Sequence, residues 1–570
     1  MSDGRGRITF VLVAVVSDER GGGVLCPLDA TGRPTGPAEV VIDLVAAVAA
    51  REAAEHPRWV WSTAAAIYPT LLRAGVRVDR CHDVELTEAL LLGHAGRWGE
   101  PRSLAAAWAR LTGAAVPPDP PPRAAAPPGH GQGALFDALP GPPGPGIEAL
   151  TRVYADQLAR VAATEHPGRF RLLVAAESAG ALIAVEMGVA GLPWRADVHN
   201  EILHELLGEA SPVGGPPRRL AELAARIADA LGVRGLHTDS PAELLKAFAR
   251  VGVELPNTRA WVLRGVDHPA VPLVLEYKEL YRIWTAHGWA WLDQWVQGGR
   301  FQPEYVPGGV VSGRWATRGG GALQIPKVIR RAVVADPGWR LVVADAGQLE
   351  PRVLAAVSGD ARLAAAGGAG DLYAALARDS FGGDRAKAKV ALLGAMYGQT
   401  GGAAVPALAV LKRSYPTAFG YVESAARTGE AGGLVRSWLG RTCPPGSAGF
   451  GDLDDASTAD PGGAADPQSP RARAARSRGR FTRNFVIQAT AAEWASTLLA
   501  TLRTEVSGTD AELVFFQHDE VVVHAPADQA DAVAEAVTRS GERASALLFG
   551  ATPVRFPLDL SIVDCYADAA

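Results

Sequence analysis

The sequence predicts an α/β multidomain protein, and three observations carry that expectation. At 570 residues the chain is long enough for several domains. Strand and helix patterns alternate over residues 1–115, whereas residues 147–300 read mostly as helix. Farther on, short apolar runs of strand length meet carboxylates, and a basic helical segment lies between them.

The alternating region opens with Ile8 to Val16, an apolar run that passes into Ser17, Asp18 and Glu19 without a small-residue cleavage site, so it reads as a buried strand. Gly23 to Pro27 and Arg58 to Trp61 follow as strands, with helices from Leu44 and through Glu85 to Leu92. Residues 116–146 shift to Pro, Gly and Ala and bury too little apolar surface to fold alone, which makes them a linker or exposed loop. Helical spacing returns at Ile147 to Ala163, Glu177 to Val189, Ala196 to Leu207, Arg219 to Leu231 and Pro241 to Val251, before a Trp-rich stretch from Trp284 to Trp295. Leu341 to Ala344 is a strand that delivers Asp345 to its end, after which the spacing becomes helical. Leu513 to Phe516 and Val521 to Val523 form a hairpin whose acidic tip contains His518, Asp519 and Glu520. A second insert, Gly446 to Pro470, is rich in Gly, Asp and Ala.

Composition excludes little but narrows the setting. Hydrophobic residues at 48% supply ample core, and a formal net charge of -5 means that any nucleic-acid groove must be local. The run Arg471, Arg473, Arg476, Arg478, Arg480 and Arg483 is either a solvated loop or a phosphate-tracking patch. Cys26, Cys81, Cys443 and Cys565 are scattered without a CxxC pair, which argues against zinc or a disulfide framework and for a reduced, cytoplasmic protein. No apolar span reads as long enough for a membrane helix, and no fixed-period repeat is visible.

A lone Asp after a strand is ordinarily a turn residue or helix cap. Two such sites flanking the segment Asp384 to Gly398 are harder to dismiss. There Arg385, Lys389, Leu393 and Tyr397 recur every fourth residue and form one stripe of two cations, an apolar slot and a phenol. The chain has only six Lys, and two of them, Lys387 and Lys389, fall in this segment. Lys is a compact charge that can also give up a proton, both of which a leaving pyrophosphate needs. Taken alone, the stripe reads equally well as a solvated basic face.

These residues carry a family resemblance. Five blocks match, in order, those of family A DNA polymerases, the group of bacterial DNA polymerase I. SGRWATRGGGALQIP, from Ser312 to Pro326, resembles the family's primer-template contact segment; ADAGQLEPR resembles motif A; RAKAKVALLGAMYG resembles motif B; RFTRNFVIQATAAEW resembles the template-contacting helix; and QHDE resembles motif C. The resemblance implies a degenerate RNase H-like exonuclease domain at 1–115, a linker, a helical connector and thumb at 147–300, and palm and fingers at 301–570, with the fingers at 362–440 and a flexible insert at 446–470. It implies that Asp345 and Asp519 hold two Mg²⁺ ions about 3.5–4 Å apart, with Glu520 a supporting carboxylate. Arg385 and Lys389 would grip the nucleotide phosphates, Lys389 would protonate pyrophosphate, and Tyr397 would border the nascent pair. Glu350 would crowd the sugar 2′ position, with Gln348 supporting the same pocket. Arg314, Arg480, Asn484, Gln488 and His518 would touch DNA. Primer-template DNA and deoxynucleoside triphosphates are the implied partners, in the cytoplasm at the nucleoid.

The chain departs from the family pattern in several places. Leu393 stands where an aromatic is usual, Ala346 and Gly347 replace bulkier or hydroxylated residues, and Gln517 takes the usual Val position. An exonuclease needs a DxE pair on the first strand and two further Asp, yet by resemblance this chain starts at the second strand. RWVWSTAAAIY, where the next acidic motif belongs, has no carboxylate. Asp18 and Glu19 fall in a turn, and Asp83, Tyr154 and Asp156 read as structural remnants. Within the linker, QGALF (Gln132, Leu135 and Phe136) resembles peptides that bind the bacterial sliding clamp, or else folds back onto its own surface. The expected activity is template-directed DNA synthesis without proofreading. A bifunctional exonuclease and polymerase, and a noncatalytic DNA- and clamp-binding adaptor, stand as alternatives. No nuclease domain for 5′ flaps is expected.

Overall fold

Leu12–Ser17 is a strand because its alternate side chains enter two different cores. Val13 and Val15 join Trp59 and Trp61 on one face, while Leu12 and Ala14 join Val60 on the other. Burial of both faces explains a run that reads as continuously apolar. A computed structural model describes residues 11–121, 146–211, 214–398, 404–445 and 470–569; the QGALF residues and nearly all of the second insert lie outside them. Gly23–Leu28 and Glu39–Val41 extend the N-terminal sheet antiparallel on one side, and Arg58–Trp61 and Arg80–Asp83 extend it parallel on the other. The expectation that this sheet begins at its second strand is not met. Leu12–Ser17 already holds the central place between an antiparallel and a parallel neighbour, and it carries no carboxylate.

The helices between the two sheets follow the sequence spacing closely. Ala196–Leu207 has the expected ends, and Arg218–Ala230 and Pro241–Arg250 fall within one residue of them. Pro167–Ala190 starts earlier than expected, because Pro167 occupies its first turn and Phe170, Leu173 and Val174 are already buried. It also corrects the reading that no span could cross a membrane. By length and composition this helix could, but 61% of its apolar window is buried inside the protein, where it packs against Arg80–Asp83, Pro470–Glu505 and Glu512–Gln517.

A four-stranded antiparallel sheet carries the expected site. Its spatial order is Glu512–Gln517, Glu520–Pro526, Trp339–Ala346 and Leu558–Val563. Along the central strand Trp339–Ala346, Val342 and Ala344 face the core that includes Phe485, Trp494 and Val533, while Leu341 and Val343 face the core of the 196–295 helices. Period-two alternation then puts Asp345 on the same face as Leu341 and Val343, one step beyond that apolar cover. Asp345 pairs directly with Glu520 on one neighbour and with Asp559 on the other.

Pro470–Glu505 is a single 36-residue helix, about 54 Å long at 1.5 Å per residue. The basic run therefore belongs to a helix and not to a loop. Within it, Arg478 donates to the carbonyls of Gly429, Gly433 and Pro444, and Arg483 donates to Ala395 O and pairs with Glu423. Those two guanidiniums join chain segments, which corrects the reading of the whole run as one patch.

Candidate active site

The two carboxylates expected to work together are brought together by the turn chemistry on either side of them. His518 sits at the tip of the hairpin with φ 59, and Gln348 turns the chain from strand to helix with φ 59; both are left-handed positions that non-glycine residues rarely adopt. The backbone N–H of Ala346 donates to Asp519 O at 3.1 Å, which locks the hairpin tip against the end of the central strand. Asp345 and Asp519 are thus neighbours, though 174 residues separate them in sequence (519 − 345).

Both carboxyls are displaced upward. Burial, followed by the charge of Asp345, pushes Asp519 up to about 7. Burial, followed by Glu520 and Asp559, raises Asp345. Among the described residues neither makes an ion pair with a Lys, Arg or His, so their mutual repulsion has no protein counter-charge in contact. Hard oxygen donors crowded in this way suit a divalent cation such as Mg²⁺. Glu520 differs: Arg330 reaches its two oxygens at 3.3 and 3.4 Å while lying over the Tyr566 ring at 4.3 Å. Its charge is committed to Arg330.

The helix Arg385–Tyr397 begins at Asp384, whose side chain accepts from Lys387 N, and ends at Gly398 with φ 68. Ala388, Ala391, Leu392, Ala395 and Met396 are buried, which leaves Arg385, Lys389, Leu393 and Tyr397 as the expected stripe. Two side chains tether that stripe to the turn after Asp345. Glu350 accepts from Tyr397 Oη at 2.5 Å and from Arg314 Nη2 at 2.7 Å. Gln348 donates to Asp371 at 3.0 Å, and Asp371 in turn accepts from Arg385 Nε at 2.7 Å. Burial pushes Asp371 up, but hydrogen bonds from Ala374 N, Arg385 and Gln348 outweigh it and hold the carboxyl down at about 2. Lys389 is exposed and has no ion-pair partner among the described residues.

On the long helix, Arg480 is exposed, while Asn484 and Gln488 are 9% and 6% exposed. Each of these two amides has a buried oxygen without a hydrogen-bond partner, as does Gln517, whose nitrogen donates to Leu323 O at 2.7 Å. Buried polar atoms left open in this way are what an incoming ligand satisfies. Leu323 lies in the Ser312–Pro326 block, so that block is bonded to the hairpin that carries Asp519.

Three working residues escaped the sequence reading. Arg352 is fully buried and donates to five backbone carbonyls: Gly347, Gly367, Ala369, Gly370 and Arg555. It fixes the turn after Asp345 from beneath, and no local pattern betrays that, because its partners are backbone atoms. Asp371 and Asp559 are the others. Alternation around Leu558–Val563 is visible in sequence, but the register that sets Asp559 opposite Asp345 is not.

A family model described as DNA polymerase family A matches residues 217–563. The chain belongs to that family. It is 27% identical over 341 residues to the thermostable DNA polymerase I of Thermus thermophilus, a match covering 54% of this chain and 37% of that protein. Identity to DNA polymerase I of Chloroflexus aurantiacus is 28% over 296 residues, covering 47% of this chain and 29% of the relative. For Deinococcus radiodurans DNA polymerase I it is 25% over 361 residues, covering 55% and 35%. The family A chain thus spans only about a third of the length of these curated relatives. A solved structure described as the POL domain of Pol1 from M. smegmatis in complex with DNA primer-template and dNTP aligns with a TM-score of 0.68 at 16% identity, covering 98% of this chain and 96% of that one. At that identity the likeness establishes a shared fold.

Proposed function

We propose that this chain is a template-directed DNA polymerase that extends a primer 3′ end by two-metal nucleotidyl transfer and does not proofread. The observation that carries this reading is the pairing of Asp345 with Asp519, two raised carboxyls without ion-pair partners, next to a helix stripe tethered to the same turn. When bound there, two Mg²⁺ ions supply activation of the 3′ hydroxyl and charge neutralisation on the triphosphate. In this reading Lys389, an exposed ammonium with no carboxylate in contact, meets the phosphates and protonates the leaving pyrophosphate. Arg385 exchanges Asp371 for phosphate oxygens. Glu350, held from both sides by Arg314 and Tyr397, stands as a fixed wall against a ribose 2′ hydroxyl, and Leu393 offers apolar contact to the incoming nucleotide. Asn484 and Gln488 would donate from their amide nitrogens to the acceptors that line the minor groove, with Arg314, Arg480 and His518 beside the DNA backbone or primer end. The M. smegmatis structure, solved with DNA primer-template and dNTP, supports these as partners.

The absence of proofreading is supported by the fate of the acidic residues in the N-terminal module. Asp18 accepts from Arg20 N and Gly22 N within a turn. Asp83 is fully buried and caps two helices through Leu86 N and Ala64 N, while Asp156 pairs with Arg160 at 3.3 Å. Tyr154 packs edge-on against His82 at 4.8 Å. None of these groups stands as an open ligand set.

Asp345→Ala and Asp519→Ala are each expected to slow single-turnover primer extension on the order of a thousandfold or more while changing primer-template binding little. The parent is expected to leave a mismatched primer end untrimmed. Extension at the parental rate by either variant overturns the assignment.

A further inference from the structure

The central strand's two neighbours place three carboxylates in one row: Glu520, Asp345 and Asp559. Residues directly opposed across antiparallel strands share a face, with Cβ atoms about 4.5–5.5 Å apart, and like charges so placed destabilise the pairing. Arg330 offsets one member of the row, Glu520. Asp559 is exposed and makes no ion pair among the described residues; its charge acts on Asp345 and, at longer range, on the buried Arg352.

Gly347 shows where that carboxylate leans. A Cβ built on Gly347 would lie 3.2 Å from Asp559 Oδ2, so the carboxylate rests over the turn that leaves the central strand. That is the turn whose preceding residue, Ala346, is bonded to Asp519 O. A side chain at position 347 would press on the Asp559 carboxylate, and Arg352 holds the Gly347 carbonyl from the far side at 3.1 Å. Glycine at 347 and aspartate at 559 therefore fit each other: the missing side chain leaves the space that the carboxylate fills.

Building on the two-metal reading above, we propose that Asp559 is a positioning residue of the cation site, an outer carboxylate that strengthens divalent-cation capture by Asp345 and Asp519 through the space left open at Gly347. It does so by adding fixed negative charge on the edge-strand side, across Asp345 from Glu520, whose own charge is paired with Arg330. The cost of three like charges in a row is then offset when a cation binds.

The test is a Mn²⁺ titration of the full chain, free of DNA and nucleotide, followed by the loss of the free-ion paramagnetic resonance signal, together with the Mg²⁺ dependence of primer extension. Asp559→Asn should weaken Mn²⁺ binding on the order of tenfold. It should also lower extension more at limiting than at saturating Mg²⁺. Asp559→Glu should restore binding, and Gly347→Ser, which presses on the carboxylate without touching its charge, should weaken it in the same direction. A merely structural role would lower the melting temperature of Asp559→Asn and leave Mn²⁺ binding unmoved. If Asp345→Asn weakens Mn²⁺ binding while Asp559→Asn and Gly347→Ser do not, the inference fails and the two-metal reading stands. If Asp345→Asn leaves it unchanged as well, the cation-site reading fails with it.

Discussion

Asp519 carries a conflict that the folded chain keeps in place. Its carboxyl is pushed up to about 7 by burial and then by Asp345, against 3.8 in an unstructured chain. The folded form therefore holds the proton more tightly than the unfolded form. Below pH 4 both forms are protonated and the group costs nothing. As pH rises from 4 to 7 the unfolded chain ionises first, and stability is lost over that window and stays lost above it. In the metal-free protein, Asp519→Asn should raise the melting temperature at pH 8, with a gain that shrinks toward pH 4; Mg²⁺ should narrow the difference at pH 8 by favouring the ionised parent. Scanning fluorimetry across pH with a chelator, then with Mg²⁺, checks it, and a pH-independent gain would contradict this account. Asp345 and Asp519 were legible in the sequence because a strand that stops at an acid and a hairpin with an acidic tip are local patterns. Arg352 and Asp559 were not, since one works through carbonyls of residues as distant as Arg555 and the other through a strand register.

The helices show the same divide between local and distant causes. Their spacing was readable wherever an apolar stripe and a cap coincide, as at Arg385–Tyr397, whereas the basic start of Pro470–Glu505 has helix-forming Ala and Arg but no apolar stripe to show what it packs against. It packs against the crossing helix Pro416–Glu430. Thr482 Oγ1 donates to Ala425 O at 2.9 Å, and a Cβ on Gly429 would collide with the Thr482 side chain. The two helices meet at glycine because nothing larger fits. Gly429→Ala should destabilise the protein by about 1–3 kcal/mol in urea unfolding. Since Arg483 links the long helix to Ala395, the variant should also slow extension more than the stability loss alone explains. A variant as stable and active as the parent would show that the crossing can give way.

At the scale of the whole molecule, a buried guanidinium joins the N-terminal module to the polymerase body. Arg503, near the end of the long helix, donates to Val78 O at 2.5 Å and Asp79 O at 2.7 Å, and it pairs with Glu186 at 2.6 Å. Glu186 also accepts from Tyr68 and Arg77. Burial pushes the Glu186 carboxyl up, yet Arg503 holds it below the ordinary value. Arg503→Met should cost about 3–5 kcal/mol, because it takes the main counter-charge from the buried Glu186, with Arg77 alone left to pair with it, and empties the Val78 and Asp79 carbonyls. Arg503→Met combined with Glu186→Leu should recover part of that loss, read by chemical unfolding; no recovery would show that the backbone contacts, not the ion pair, carry the effect.

The same contact bears on how the chain can be cut. The segment leading into the Arg80–Asp83 strand, the Pro167–Ala190 helix and the Pro470–Glu505 helix share one desolvated charge, so separating them would strip that charge of its protein partners. One guanidinium thereby helps bond the N-terminal sheet into the rest of the chain. Cutting away the chain ahead of the Pro167–Ala190 helix would leave the Arg503 guanidinium in place but stripped of the Val78 and Asp79 carbonyls.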